Sequence, residues 1–558
     1  MGIHKGVWRF ASTHDLLLII KSVSAAIVLS LLVTFFYNRL NETPRFVYII
    51  DYLLLIVGLC GGRFTYRLLK IKNSKNTQKN ALMIGAGFSG EKLAREFKRT
   101  PQDFDFNIVG ILDDDKQFKG RTIHGINVLG TTRDIELLAP KRSIETILIA
   151  IPTASNQFIK RIYETTKSLN ISARTLPQVS DLYCGKVSFN QMREVQVEDL
   201  MGRNLADLDL NSIANSHNEK TILVTGAGGS IGSELCRQIL HYKPTTLIMI
   251  DHSEFNIYEV SEEFAAISTS TELIYKTISI NNIIELNEVF SDYRPDIVYH
   301  AAAYKHVPIM EKNPKAAIHT NIKGTENVAS LSLKYDVQKF ILVSTDKAVN
   351  PTNVMGASKR IAEMICEKLN SYNKTKFSMV RFGNVLGSSG SVIPKFKKQI
   401  NRGGPVTITH PDITRFFMAI SEAAQLVIQA GVLSKGGEIF VLDMGSPVKI
   451  LDLAKDLITL SGHKPDVDIE IQFTGLRPGE KLYEELLSDK EETLPTTHKM
   501  VKVARSRALP DHFDETVKDL LNIESNISRN QVKKMIHRLV EEYTPQFEQT
   551  NDKERRLQ

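Results

Sequence analysis

Cysteine is scarce in this chain. The four in 558 residues, Cys60, Cys184, Cys236 and Cys366, stand far apart without a C-x-x-C pair. That spacing excludes a disulfide framework and a cysteine-based zinc site, and it suits a reducing compartment; no metal is expected. Low-complexity tracts are also missing, and 42% apolar with 24% charged residues is the composition of an ordered globular protein. No small-residue cleavage site follows the first apolar run, which argues against a signal peptide. Acidic residues are sparse at one end only. Residues 1–80 hold eleven Lys/Arg against three Asp/Glu, so the whole net charge of +7 arises there. A nucleic-acid binder would carry its basic face on the folded body, so nucleic acid is discounted as a partner.

The basic end surrounds two apolar runs. Residues 16–37 (LLLIIKSVSAAIVLSLLVTFFY) contain one charge, Lys21, and as a helix of about 33 Å they match a hydrocarbon core of about 30 Å. Residues 46–60 (FVYIIDYLLLIVGLC) are shorter and carry Asp51. Six basic residues and no acid lie in 63–79, and Lys5 and Arg9 precede the first run. Under the positive-inside tendency both ends face the cytoplasm and 38–45 forms a short external turn. Residues 1–75 are therefore expected to be a transmembrane helical hairpin in contact with lipid. The competing reading is a pair of buried core helices.

At about 150 residues per domain, the length suggests three or four units. Residues 76–155 open with ALMIGAGFSGEKLAREF, a strand running into Gly85-x-Gly87-x-x-Gly90 and a helix, with Asp113 ending the next strand. This is the pattern of a nucleotide-binding turn, in which absent side chains let backbone N–H groups approach a phosphate. A Rossmann-like domain that has lost its ligand fits equally well. Residues 156–219 read as an irregular connector. Then TILVTGAGGSIGSELCRQIL gives Gly226-x-x-Gly229-x-x-Gly232, and TTLIMID ends at Asp251, placed to accept both ribose hydroxyls and repel a 2′-phosphate. NAD is expected in preference to its 2′-phosphorylated form, held by Gly226, Gly229, Ser230, Ile231, Gly232 and Asp251. Small Ala301, Ala302 and Ala303 in the strand stretch 296–304 allow close passage of the dinucleotide. The fold class is α/β: the hairpin, then two Rossmann-like doubly wound parallel sheets. The second spans 220–495, and helices with a charged tail fill 496–558.

The stretch STDKAVNPTNVMGASKR, 344–360, places Lys359 four residues after Met355. A short-chain dehydrogenase has a tyrosine where Met355 stands, and a thioether neither gives nor takes a proton. Lys359 is expected to orient the nicotinamide ribose and to shift neighbouring pKa values. Thr345, Asp346 and Lys347 lie together where a strand ends, and they suit more than oxidation. Once C4 of a hexose is a ketone, its C5 proton is acidic; a lysine held unprotonated by burial is able to remove it while an aspartic acid protonates the departing C6 hydroxyl. The alternative is a strand end with Asp346 and Lys347 paired on the surface. Asn384, Arg415 and Arg477 follow in glycine-rich segments, and the arginine forks suit a diphosphate.

TGAGGSIGSE, AAAYKHVPIME, STDKAVNPTNVMGASKR, RFGNVLGSSGSVIP and GLRPGEKLYEE together resemble the membrane-anchored UDP-N-acetylglucosamine 4,6-dehydratases of bacterial surface-glycan synthesis, within the extended short-chain dehydrogenases. The resemblance covers about residues 1–490. Long-form members share the methionine, so it implies that Met355 is a family feature. It implies Thr345, Asp346 and Lys347 as the catalytic group, with Asp346 the acid at the C6 hydroxyl and Lys347 the base at C5; the acceptor of the C4 hydroxyl proton stays open. Lys305, Asn384, Arg415 and Arg477 are expected to bind the UDP-sugar. A bacterial inner-membrane enzyme with cytoplasmic catalytic domains and a homo-oligomeric state follow as expectations. The family usually has four spans, and the two here resemble the third and fourth. Ser279 stands where relatives often have an aspartate near the adenine. Two rivals remain. A nucleotide-sugar 4-epimerase would share fold and cofactor but needs a proton shuttle at C4, and a membrane-tethered NAD sensor would have no use for Thr345, Asp346 and Lys347.

Overall fold

The computed structural model describes residues 13–38, 44, 46–59, 78–169, 171–176, 192–196, 199–200, 208–485, 493–504, 509–523 and 526–547. The chain divides into two compact units, Met1–Val195 and Gln196–Gln558. Cys60, Cys184 and most of the basic stretch 63–79 lie outside the described residues, as does nearly all of the turn expected at 38–45.

The first unit begins with the helix Thr13–Asn38. Within it Ile20–Tyr37 is long and apolar enough to cross a membrane, and a shorter apolar helix follows at Phe46–Leu59. Ser24 and Tyr52 join the two through a 3.0 Å hydroxyl hydrogen bond. Val28, Leu29, Val33, Phe36, Ile50, Leu54 and Val57 are exposed, an apolar surface far larger than scattered outward leucines would make.

Its sheet comprises β1 (Lys79–Ile84), β2 (Phe106–Leu112), β3 (Thr122–Ile123), β4 (Ile126–Gly130), β5 (Thr146–Ile149), β6 (Ser172–Thr175) and β7 (Arg193–Glu194), in spatial order β3-β4-β2-β1-β5-β6-β7. β1 is parallel to both β2 and β5. The connector expected from residue 156 is corrected here. Asn156–Ser168 is a helix, started by Ser155 accepting from Phe158 N–H at 3.2 Å, and β6 returns parallel to β5. Ile159, Ile162 and Thr166 form its buried stripe at helical spacing. The segment is a further α/β repeat of the same sheet, and three buried positions are too brief a pattern to stand out from a polar stretch.

The second unit is built on β8 (Thr221–Thr225), β9 (Thr246–Asp251), β10 (Glu272–Thr277), β11 (Ile297–His300), β12 (Lys339–Val343), β13 (Lys376–Arg381), β14 (Ile439–Leu442), β15 (Thr493–Pro495) and β16 (Val501–Ala504). Their order is β10-β9-β8-β11-β12-β13-β14-β16-β15, parallel from β10 to β14 and antiparallel beyond. Central strands read as continuous apolar runs because both faces are covered. Ile222, Val224, Leu247 and Met249 pack on one side with Leu235, Ile239 and Phe264. Leu223, Ile248 and Ile250 pack on the other with Leu286, Phe290 and Val328. The order reverses between β8 and β11, which opens a crevice at the strand carboxyl ends.

Residues 496–558, expected as appended helices, also require correction. β16 pairs with β14, and the helices Phe513–Leu521 and Arg529–Leu539 share a core with Met355, Ile361 and Ile365 of the helix Val354–Asn370. Lys533 of the helix Arg529–Leu539 reaches Glu311 at 2.7 Å, and Glu311 accepts from Val354 N–H at 2.6 Å.

Candidate active site

The turn after β8 is shaped by missing side chains. Gly226 has φ +67°, and a Cβ there would stand 2.7 Å from the Ala302 backbone; one on Gly232 would collide with the Gly226 carbonyl oxygen. Only glycines let strand, turn and the helix Ser230–Leu240 approach this closely. Asp251 ends β9 with its carboxylate accepting from Gly228 N–H at 3.1 Å and Ser253 N–H at 2.9 Å. The first unit repeats the device: Gly85 has φ +107°, and Asp113 accepts from Ala86 N–H at 2.6 Å.

β12 stops at Val343, and Asp346–Ala348 form a single 3-10 turn begun by Thr345. The chain then enters the helix Val354–Asn370, capped by Asn353 accepting from Gly356 N–H at 2.8 Å. A Cβ on Gly356 would meet the Lys347 carbonyl oxygen, so this glycine lets the helix start press against the turn. Met355 and Lys359, one helical turn apart, face the same way. Lys359 Nζ donates to Val343 O at 2.7 Å. Burial, only partly offset by Glu363, brings its pKa down to about 8.

These elements enclose one cavity of about 840 Å³. Gly226, Gly229, Ser230, Ile231, Gly232, Ala301 and Ala303 line it together with Lys305, Thr345, Lys347, Met355, Lys359, Asn384, Arg415 and Arg477. Asp251, Ala302 and Asp346 stand behind that wall. The Asp346 side chain is fully buried; its Oδ1 accepts from Thr345 Oγ1 at 2.8 Å and Lys347 Nζ at 3.0 Å, while Oδ2 has no partner among the described residues. Lys347 Nζ also donates to Asn384 Oδ1 at 3.3 Å and lies 3.5 Å from Glu484 Oε1.

The expectation that burial leaves Lys347 unprotonated is overturned. Burial does weaken the ammonium, but Asp346 and next Glu484 outweigh it, and the Lys347 pKa stands above the ordinary lysine value. Two carboxylates within ion-pair range stabilise the charged form more than desolvation opposes it. Nor is the pair on the surface, since the Lys347 side chain is only 15% exposed.

Arg415 is held by the carbonyls of Thr414, Lys481 and Leu482, and stands 3.5 Å from Glu480 and 3.6 Å from Glu484. Arg477 is half exposed and forks onto Glu480 at 3.1 and 3.2 Å. Burial lowers the pKa of Lys305, and that of His306 falls through burial, then Lys305 and Arg477. Lys305, Arg415 and Arg477 thus line the same cavity as the glycine turn, with Glu480 and Glu484 beside the arginines.

Sequence reasoning missed three contributors. Glu480 and Glu484 follow Arg477 by three and seven residues, a charge pattern visible in GLRPGEKLYEE but indistinguishable there from a solvated surface. Asn321, fully buried in a π-helical turn at Ile318–Lys323, accepts from Tyr304 N–H at 2.8 Å and donates to Tyr304 O and Ser358 Oγ at 3.0 Å each. It fixes the cavity-lining 301–306 segment to the helix of Lys359, the kind of place where π-turns gather.

A doubly wound sheet with this glycine turn and a lysine one helical turn after Met355 defines a Rossmann-like short-chain dehydrogenase fold. Residues 222–506 match the family described as polysaccharide biosynthesis protein, and residues 6–177 match a CoA-binding domain. The chain is 44% identical over 548 residues to a capsular polysaccharide biosynthesis protein, CapD, of Staphylococcus aureus, covering 96% of this chain and 90% of that one. It belongs to the polysaccharide biosynthesis protein family. Relatives also include a Campylobacter jejuni UDP-N-acetylglucosamine 4,6-dehydratase (inverting), 36% identical over 282 residues, 50% of this chain and 80% of that one. A UDP-glucose 4-epimerase of Rickettsia canadensis is 36% identical over 324 residues, 56% and 92% of the two chains.

Proposed function

We propose that this protein is an NAD-dependent 4,6-dehydratase of UDP-N-acetylglucosamine or a close UDP-hexosamine, supplying a 4-keto-6-deoxy sugar for surface glycans. One observation carries the reading. Thr345 and Lys347 share a cavity wall with Lys359 while the position of the usual tyrosine is held by Met355, 3% exposed. An epimerase needs a proton shuttle at C4, which a thioether cannot supply; a sensor has no use for an acid and a base at a strand end.

The site fits NAD: the Gly226 cradle would be filled by any Cβ, and Asp251 closes the neighbouring strand. When bound, that cofactor supplies the acceptor for a hydride from C4 and its donor to C6. The chain's residues move the protons. Transfer across the 3.0 Å contact from Lys347 to Asp346 converts the ion pair into an amine and a carboxylic acid. The amine takes the C5 proton and returns one from solvent to C5 at the end. The acid, through the cavity-lining Thr345 hydroxyl 2.8 Å away, supplies the proton with which the C6 hydroxyl leaves as water, and the C4 hydroxyl proton released with the hydride passes to solvent. Arg415, Arg477 and Lys305 hold the diphosphate, and Asn384 positions Lys347 at 3.3 Å. In this reading 220–495 carries the chemistry, 76–155 is a second nucleotide-type domain, and 1–75 anchors the chain in the bacterial inner membrane with the cavity on the cytoplasmic side.

Incubation of purified protein with UDP-N-acetylglucosamine in deuterated water tests the reaction. A 4-keto-6-deoxy product carrying deuterium at C5 is expected; recovery of only the C4 epimer would overturn the reading. An alkaline carbonate wash that strips the intact chain from membranes would remove the anchor.

A further inference from the structure

Glu484 lies 137 residues after Lys347 in the sequence yet stands on the same cavity wall. Its side chain is only 4% exposed, with Oε1 3.5 Å from Lys347 Nζ and 3.6 Å from Arg415 Nε. Its other oxygen, Oε2, is buried and meets no donor among the described residues. A carboxylate so enclosed is stable as an anion only through the two cations beside it.

The geometry at Lys347 gives this contact a consequence. Nζ donates to Asp346 Oδ1 at 3.0 Å and Asn384 Oδ1 at 3.3 Å, and Glu484 Oε1 stands in ion-pair range at 3.5 Å. An amine keeps two N–H groups for the two hydrogen-bond acceptors, but it gives up the charge that faces Glu484. Asp346 is the partner to which the proton passes, and Asn384 is neutral. Glu484 is the remaining charge.

Resting on the dehydratase reading, we propose that Glu484 is a positioning residue for Lys347, a second anion whose charge, with that of Asp346, governs when the Lys347 amine is free to take the C5 proton. The charged groups around the pair are Asp346, Glu484 and Arg415 at Lys347, Glu480 at Arg415, and Arg477 at Glu480. Neutralising Glu484 leaves Arg415 facing Lys347 with less compensation, so the amine form should gain.

Competitive labelling of the full-length protein with acetic anhydride across pH, read by mass spectrometry of the peptide holding Lys347, measures its titration without turnover. In Glu484→Gln the midpoint is expected to fall by about one pH unit, the lower end of what a nearby opposite charge is worth. In Glu484→Asp, where the charge retreats by one methylene, a smaller fall in the same direction is expected, and this variant carries the test if the first does not fold. An unmoved midpoint in folded, NAD-retaining protein overturns the proposal. The dehydratase reading fails separately, if wild-type protein forms no C5-labelled product, and the labelling result stands or falls without it.

Discussion

Ser344 donates a 2.6 Å hydrogen bond to Glu363, tying the residue before Thr345 to a fully buried carboxylate. Glu363 also holds Arg381 through two 2.8 Å bonds and Arg360 at 3.1 Å. The strand end that carries Thr345, Asp346 and Lys347 therefore rests on an ion cluster inside the protein. Burial alone would raise the Glu363 pKa, but Arg381, and after it Arg360 and the Ser344 hydroxyl, hold it at about 2.

Glu363→Gln should remove the carboxylate that Arg381 and Arg360 share, leaving Arg360 its contacts to Glu367 and Glu542, and cost about 3–5 kcal/mol. The sign of the pH effect follows from a folded pKa below the ordinary carboxyl value. Its contribution is complete above about pH 4.5 and is lost as pH falls toward 2. Denaturant midpoints at pH 7 and pH 3.5 check both points: the gap between wild type and variant should narrow at the lower pH.

Lys359 has the opposite linkage. Its pKa of about 8 lies below the ordinary 10.5, so below pH 8 folding must bury an ammonium, and stability rises as pH climbs from 8 toward 10.5. Cofactor-free wild type should therefore gain in Tm between pH 7.5 and 9.5 relative to Lys359→Met, measured by calorimetry. The variant should also lose cofactor affinity, read by titration calorimetry.

Asp346→Asn and Lys347→Ala should each reduce turnover by about 10²–10⁴-fold, the usual worth of a positioned acid or base, while retaining NAD. Full activity in either variant would remove that residue from the reaction. Product formation and cofactor absorbance on the same preparation separate chemistry from folding.

Gly232→Ala should abolish cofactor retention, because its new methyl group would strike the Gly226 carbonyl oxygen. Asp251→Asn should narrow the preference for NAD over its 2′-phosphorylated form, since the repelling charge is gone. Equilibrium binding of both cofactors to the variants decides each case.

The nucleotide turn was legible because its signals are local: Gly226, Gly229 and Gly232 fall within seven residues and Asp251 ends the next apolar run. Met355 and Lys359 were legible for the same reason, being one helical turn apart. The charge state of Lys347 was legible only in part, because Asp346, the larger influence, is its neighbour in sequence, while Glu484 is brought in from a distant loop. The place of Asp346 behind the wall was likewise hidden, as an adjacent pair in sequence says nothing of which side chain the following turn covers. The helix at 156–168 was missed because its apolar stripe is brief, and strand β16 because it is only four residues long and pairs with strands distant in sequence.

Lys533 and Gln546 tie the far end of the second unit to the loop that carries Arg477. Gln546 accepts from Lys533 through its carbonyl at 2.7 Å and from Gly479 N–H through its side chain at 3.0 Å, two residues from Arg477. A fragment cut after 495 would keep every group named in the proposed reaction yet lose the brace under the Arg477 loop, so it would be a poor stand-in for the intact protein in assays or in inhibitor screening.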